Sequence, residues 1–175
     1  GPSLAARAGE ETLEQAVERL AALPSVAVLY IRCDWRDVQN RPGRLDLHPV
    51  WALTRDAARR RGRRVAFRVQ LSNPEIQPAK LALPDFLQAK VPLVTIRRPV
   101  PGSPDRVEPR YDHPEFQRAF RELNELLAAE LDGDPLVEFA DLMMYGFWGE
   151  GHTSDYPSPM PDPALAERTF VDMTE

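Results

Sequence analysis

The hydrophobic positions along the chain alternate between two rhythms, and those rhythms predict the elements. From Thr12 to Leu23, Leu13, Ala16, Val17 and Leu20 recur at helical spacing, and Pro24 closes the segment. Val26 to Ile31 is a continuous apolar run rich in β-branched residues, as expected for a strand buried on both faces of a parallel sheet. A polar loop from Arg32 to His48 follows, with a turn at Arg41-Pro-Gly43. Pro49 then suits the first turn of a helix reaching about Arg61. Gly62 fits the residue just past that helix, and Val65 to Val69 reads as a second strand.

Residues 71–110 hold eight prolines, which excludes a long helix there. Val91 to Ile96 or Val107 to Tyr111 supplies a third strand. Asp112 is placed to cap a helix from Pro114 to about Leu131, with Phe116, Ala119, Phe120, Leu123 and Leu127 on its apolar face. Asp132 to Pro135 is a turn, Leu136 to Tyr145 a fourth strand, and a last helix starts near Pro163. Strands alternating with helices predict α/β architecture with a parallel sheet.

Composition narrows the picture. The 175 residues are 43% hydrophobic, enough for a core. No apolar run reaches the ~18 residues of a membrane span. A net charge of −5 argues against a nucleic-acid surface. The single cysteine, Cys33, makes no intrachain disulfide, and His48, His113 and His152 match no zinc spacing. A metal site built from Glu150, His152 and Asp112 or His113 is the weakest reading, so no metal or other cofactor is expected. Twenty of the 22 basic residues are Arg, which reflects composition bias more than Arg chemistry. Gly1-Pro-Ser3 has the look of a protease-cleavage scar, ahead of an N-terminal helix within residues 4–24. No signal peptide is visible, and localisation stays open. No Gly-x-Gly-x-x-Gly or P-loop follows any strand, so the usual nucleotide sites are not expected.

In parallel α/β proteins chemistry gathers at the carboxyl ends of strands. Those ends offer Arg32, Asp34 and Trp35 after the first strand, and Arg68 at the second. After the fourth comes Tyr145-Gly-Phe-Trp-Gly-Glu-Gly-His152. There Glu150 lies between glycines, and an indole beside it would desolvate the acid as a general acid requires. Trp148 would offer a flat apolar platform to a sugar ring. A packed glycine-aromatic corner is the alternative for this segment. Arg32 and Arg68 are equally suited to pairing with neighbouring carboxylates such as Asp34.

The pattern Ile31-Arg-x-Asp-Trp-Arg-Asp-Val, continuing through Pro42-Gly-Arg-Leu-Asp46, resembles the opening of β-galactosidase-type glycoside hydrolases. These are the family 42-like group of the retaining TIM-barrel clan. Val65 to Val69 is similar to their next barrel strand. Tyr111 to Phe116, Asp132 to Pro135 and the Trp-Gly-Glu-x-His motif resemble a related bacterial group, so the likeness covers about residues 26–152. The resemblance implies a (β/α)8 barrel of which residues 25–175 form the N-terminal half, about four βα units, completed by a C-terminal segment or a second chain. A self-contained four-stranded α/β domain is the competing fold.

The resemblance also implies retaining hydrolysis of a carbohydrate, with Glu150 as acid/base and the nucleophile outside this chain. Arg32, Asp34, Trp35, Arg68, Tyr145, Trp148 and His152 would bind substrate. The clan places Asn before the acid/base glutamate and Gly149 stands there instead, so the contact to the sugar 2-hydroxyl must come from elsewhere. A carbohydrate-binding barrel without catalysis is the second reading.

Overall fold

The computed structural model describes residues 11–97, 101–102, 104–151, 159–160 and 162–174. Among the described residues, five α-helices and five strands form in the order α1 (Leu13–Ala22), β1 (Val28–Asp34), α2 (Pro49–Arg61), β2 (Arg64–Gln70), α3 (Asp85–Gln88), β3 (Leu93–Ile96), β4 (Arg106–Pro109), α4 (Pro114–Leu131), β5 (Val137–Ala140) and α5 (Pro163–Thr174). The strands make a three-stranded parallel sheet, β1-β2-β5, and a separate antiparallel pair, β3-β4. The chain divides into two compact units. Of the described residues, one takes those up to Arg32 with Leu47–Arg68 and Leu131–Asp141; the other takes those of Cys33–Asp46, Val69–Glu130 and Leu142 onward.

This arrangement overturns the half-barrel expectation. In a barrel each successive strand joins the growing parallel sheet beside its predecessor. Here β2 pairs directly with β5, in the register Val65 to Val137 and Phe67 to Ala140. The two segments that competed for the role of third strand pair with each other instead, Leu93 opposite Pro109 and Ile96 opposite Arg106. The cause is local. A hairpin needs only a short connection, whereas a parallel crossover needs a dozen or more residues. Pro109, which has no N–H to donate, is tolerated at the end of such a two-stranded ribbon.

In the first unit α1 and α2 pack together over one face of the sheet. Thr12 and Gln15 form a reciprocal capping box at the start of α1, at 2.9 and 3.2 Å. The core joins Val17 and Ala21 of α1, Ala57 and Ala58 of α2, and Leu29 and Val65 of the sheet. The opposite face is not covered in the way the apolar run of β1 suggested. Burial alternates along that strand, and Tyr30 is 41% exposed. Phe139 on β5 is 47% exposed, and β5 itself ends at Ala140 rather than Tyr145. On that side Asp141 accepts hydrogen bonds from the Tyr30 hydroxyl and, at 3.0 Å, from Arg68. Burial, reinforced by Asp141, pushes the Tyr30 phenol up to about 12.

The second unit has an aromatic core. Phe116 of α4 stands edge-on to Trp35 at 5.7 Å and to Tyr111 at 5.1 Å, and lies stacked against Phe120 at 6.2 Å. The Trp35 indole N–H donates to Gln39 at 2.7 Å. The Gln39 amide donates to Glu122 at 2.8 Å, and Glu122 also accepts the Gly43 N–H at 2.7 Å. The loop after β1 is thereby fastened to α4. The start of α4 also departs from expectation: His113 Nδ1 accepts the Glu115 N–H at 3.3 Å, while Asp112 is held by Arg110 at 2.7 and 2.8 Å. That guanidinium keeps the Asp112 carboxyl below its ordinary range.

Candidate functional site

The segment Tyr145–Gly151 of the second unit is a knot of tight turns rather than a strand end. Gly149 N–H donates to Gly146 O at 3.1 Å, Glu150 N–H to Phe147 O at 3.2 Å, and Gly151 N–H to Tyr145 O at 3.0 Å. Met144 N–H closes the knot on Gly149 O at 3.2 Å. The glycines explain how this compactness is reached, since Gly146, Gly149 and Gly151 have φ of 88°, 72° and 65°. A side chain at Gly151 would press on the Met144 methyl at 3.3 Å, so that position is tight as well as left-handed.

Trp148 breaks the rule. It has φ 58° and is the non-glycine residue with positive φ among the described residues. Bulky side chains avoid this region because Cβ crowds the following carbonyl, at a cost of ~1–2 kcal/mol. Such strain persists only where surrounding contacts impose it. One contact is explicit: the Trp148 N–H donates to the Ser72 carbonyl at 3.0 Å. The Trp148 ring also lies edge-on to Phe147, 6.1 Å away.

Beneath the knot lies a buried polar cluster that sequence reasoning did not single out. Glu108 of β4 is 1% exposed and accepts hydrogen bonds from the hydroxyls of Ser72 and Tyr111. Burial raises its carboxyl to about 7, and the two hydroxyl donors oppose that rise. Tyr111 is completely buried, and burial together with the Glu108 charge holds its phenol well above the usual range. The Gly146 backbone opposes that rise in part, and the Tyr145 ring packs 5.9 Å from the Tyr111 ring. β4 is itself pinned by Gln77, whose amide exchanges two hydrogen bonds with the Val107 backbone at 2.7 and 2.8 Å. The available sequence signal was an acidic residue flanked by Val107 and Pro109 in a short strand, too common a pattern to stand out.

The other predicted residues fall in different places. Asp34 is buried in the second unit, where Asn73 donates to both its oxygens at 3.0 and 3.3 Å. Trp35 is fully buried in the aromatic core. Tyr145 and Trp148 are half-buried, and Glu150 is exposed on the knot. Arg32 and Arg68 belong to the first unit: Arg32 is exposed, and Arg68 pairs with Asp141 at 3.0 Å. His152 lies outside the described residues. Among the described residues, no three His, Cys, Asp or Glu side chains gather closely enough to hold a metal ion.

The basic run Arg59–Arg64 is tied down internally. Arg59 pairs with Asp56 at 3.3 Å, Arg60 and Arg61 with Glu18, and Arg64 with Glu138 at 3.1 Å. Arg63 donates to the Ala21 and Leu23 carbonyls. No helix among the described residues is long and apolar enough to cross a membrane. No family model, curated protein or solved structure matches this chain.

Proposed function

We propose that this chain is a carbohydrate-directed protein of the glycoside hydrolase type, and that its sugar-facing element is the Tyr145–Gly151 knot. The observation that carries the reading is Trp148: an aromatic residue kept in a strained conformation two positions before a surface carboxylate. An indole face stacks on the apolar face of a pyranose ring. Glu150 supplies the polar contact and the proton transfer. In retaining hydrolysis Glu150 protonates the glycosidic oxygen as its bond to the anomeric carbon breaks. A second carboxylate about 5–5.5 Å away forms the glycosyl ester. Water then displaces that carboxylate, losing its proton to Glu150.

The test is Glu150→Gln in the full chain, assayed on a panel of nitrophenyl and alkyl glycosides and uronides. Turnover of substrates with poor leaving groups should fall by ~10²–10⁴-fold, the usual contribution of general acid catalysis, while binding is retained. Unchanged turnover of those substrates overturns the reading.

A second reading, sugar binding without turnover, is favoured by the exposure of Glu150, because a general acid works best when removed from water. It predicts saturable sugar binding that is lost in Trp148→Ala, with no product released from any glycoside on the panel.

A further inference from the structure

The knot that carries Trp148 and Glu150 is suspended at two points, and both lead to one buried carboxyl. Trp148 N–H donates to the carbonyl of Ser72, whose hydroxyl donates to Glu108. The Tyr145 ring at the start of the knot packs 5.9 Å from the ring of Tyr111, whose hydroxyl donates to the other oxygen of Glu108. We propose that Glu108 is a positioning residue for this knot, and that gain or loss of its proton moves the Tyr145–Trp148 backbone through Ser72 and Tyr111.

The hydrogen-bond inventory gives the reason. An ionised carboxylate only accepts, so it takes both hydroxyl protons at once. A protonated carboxyl has an O–H of its own, and one of the two hydroxyls must then accept from it and turn its own hydrogen elsewhere. Whichever hydroxyl turns is one step from the knot. If Ser72 turns, its side chain reorients on the residue whose carbonyl holds Trp148. If Tyr111 turns, its ring shifts against that of Tyr145, the first residue of the knot.

The surroundings leave Glu108 to titrate on its own terms. Among the described residues no cation pairs with it. Arg106 lies two residues earlier on the same side of β4, without an ion pair to Glu108. Arg110 is engaged by Asp112. Tyr111 is the titratable group in direct contact, and its phenol stays protonated across the range in which Glu108 changes. Burial places the Glu108 carboxyl near neutrality.

The experiment follows the indole N–H resonances of the full chain, ¹⁵N-labelled, from pH 5 to 9. The Trp148 signal is assigned by its loss in Trp148→Phe. It should shift with one midpoint near 7, and that transition should be absent in Glu108→Gln. A flat Trp148 signal overturns the proposal. So does a transition that survives in Glu108→Gln, which is the outcome expected if His152 were its source. Should Glu108→Gln lose its signal dispersion, Ser72→Ala replaces it. Removing one donor to the carboxylate raises the midpoint, and an unmoved midpoint overturns the proposal.

The functional arm rests on the sugar reading: glycoside affinity should change across the same midpoint. If the Trp148 resonance titrates and no sugar binds, the positioning role stands and the sugar reading fails.

Discussion

The backbone N–H of Trp148 donates to the carbonyl of Ser72 at 3.0 Å, so the knot bearing Glu150 hangs from the segment that follows β2. The two residues are far apart in sequence and belong to the same compact unit. The bond joins the strained aromatic to the residue whose hydroxyl serves the buried Glu108.

Glu108 makes stability fall with rising pH. Its carboxyl titrates near 7 in the folded protein and at 4.5 when unfolded, because burial disfavours the charge. Between those values the native state holds a proton that the unfolded state releases, so its contribution is complete below 4.5 and lost by the time pH passes 7. The full loss is about 3 kcal/mol. Glu108→Gln, which stays neutral, should therefore melt higher than the parent at pH 8 and close to it at pH 4.5. Calorimetry at both values checks this, and a variant destabilised equally at both would contradict it.

Trp148→Gly separates strain from function. Glycine accepts the left-handed conformation freely, and the ~1–2 kcal/mol released roughly offsets the lost ring contact with Phe147. The melting temperature should move by only a few degrees, while sugar binding at the knot disappears. Isothermal titration beside thermal melts gives both readouts.

Phe116→Ala should be the most damaging of the substitutions considered. Phe116 is fully buried between Trp35, Tyr111 and Phe120, and a phenylalanine truncated in such a core costs ~3–5 kcal/mol. Urea unfolding should show a large drop in midpoint. A loss under 1 kcal/mol would mean that the aromatic cluster is not the core of its unit.

Gly62→Ala tests backbone conformation alone. Gly62 ends α2 with φ 61°, its N–H reaches back to Ala58 and Arg59, and a Cβ there would meet nothing within 4 Å. The cost is therefore conformational, about 1 kcal/mol. Gly62→Asn should cost less, because Asn tolerates the left-handed region. Equal losses would point to a steric cause.

Much of this fold follows from short-range pattern. The capped α1, the proline-started α2 with Gly62 behind it, β2 and the long amphipathic α4 are all written in residues a few positions apart, where helical spacing and turn chemistry act. The unusual character of Tyr145–Gly151 was legible too, because three glycines around two aromatics and a carboxylate demand a special backbone. Which strands meet depends on long-range packing. Leu93–Ile96 and Arg106–Pro109 are each too short to specify a partner, and they pair with each other because that closure is local, leaving β5 to join β2. Tertiary structure also created the Glu108 site. Nothing within a few residues of Ser72, Glu108 or Tyr111 foretells that two hydroxyls will converge on one carboxyl, since burial and hydrogen bonding at that point arise only when separate stretches of chain pack together.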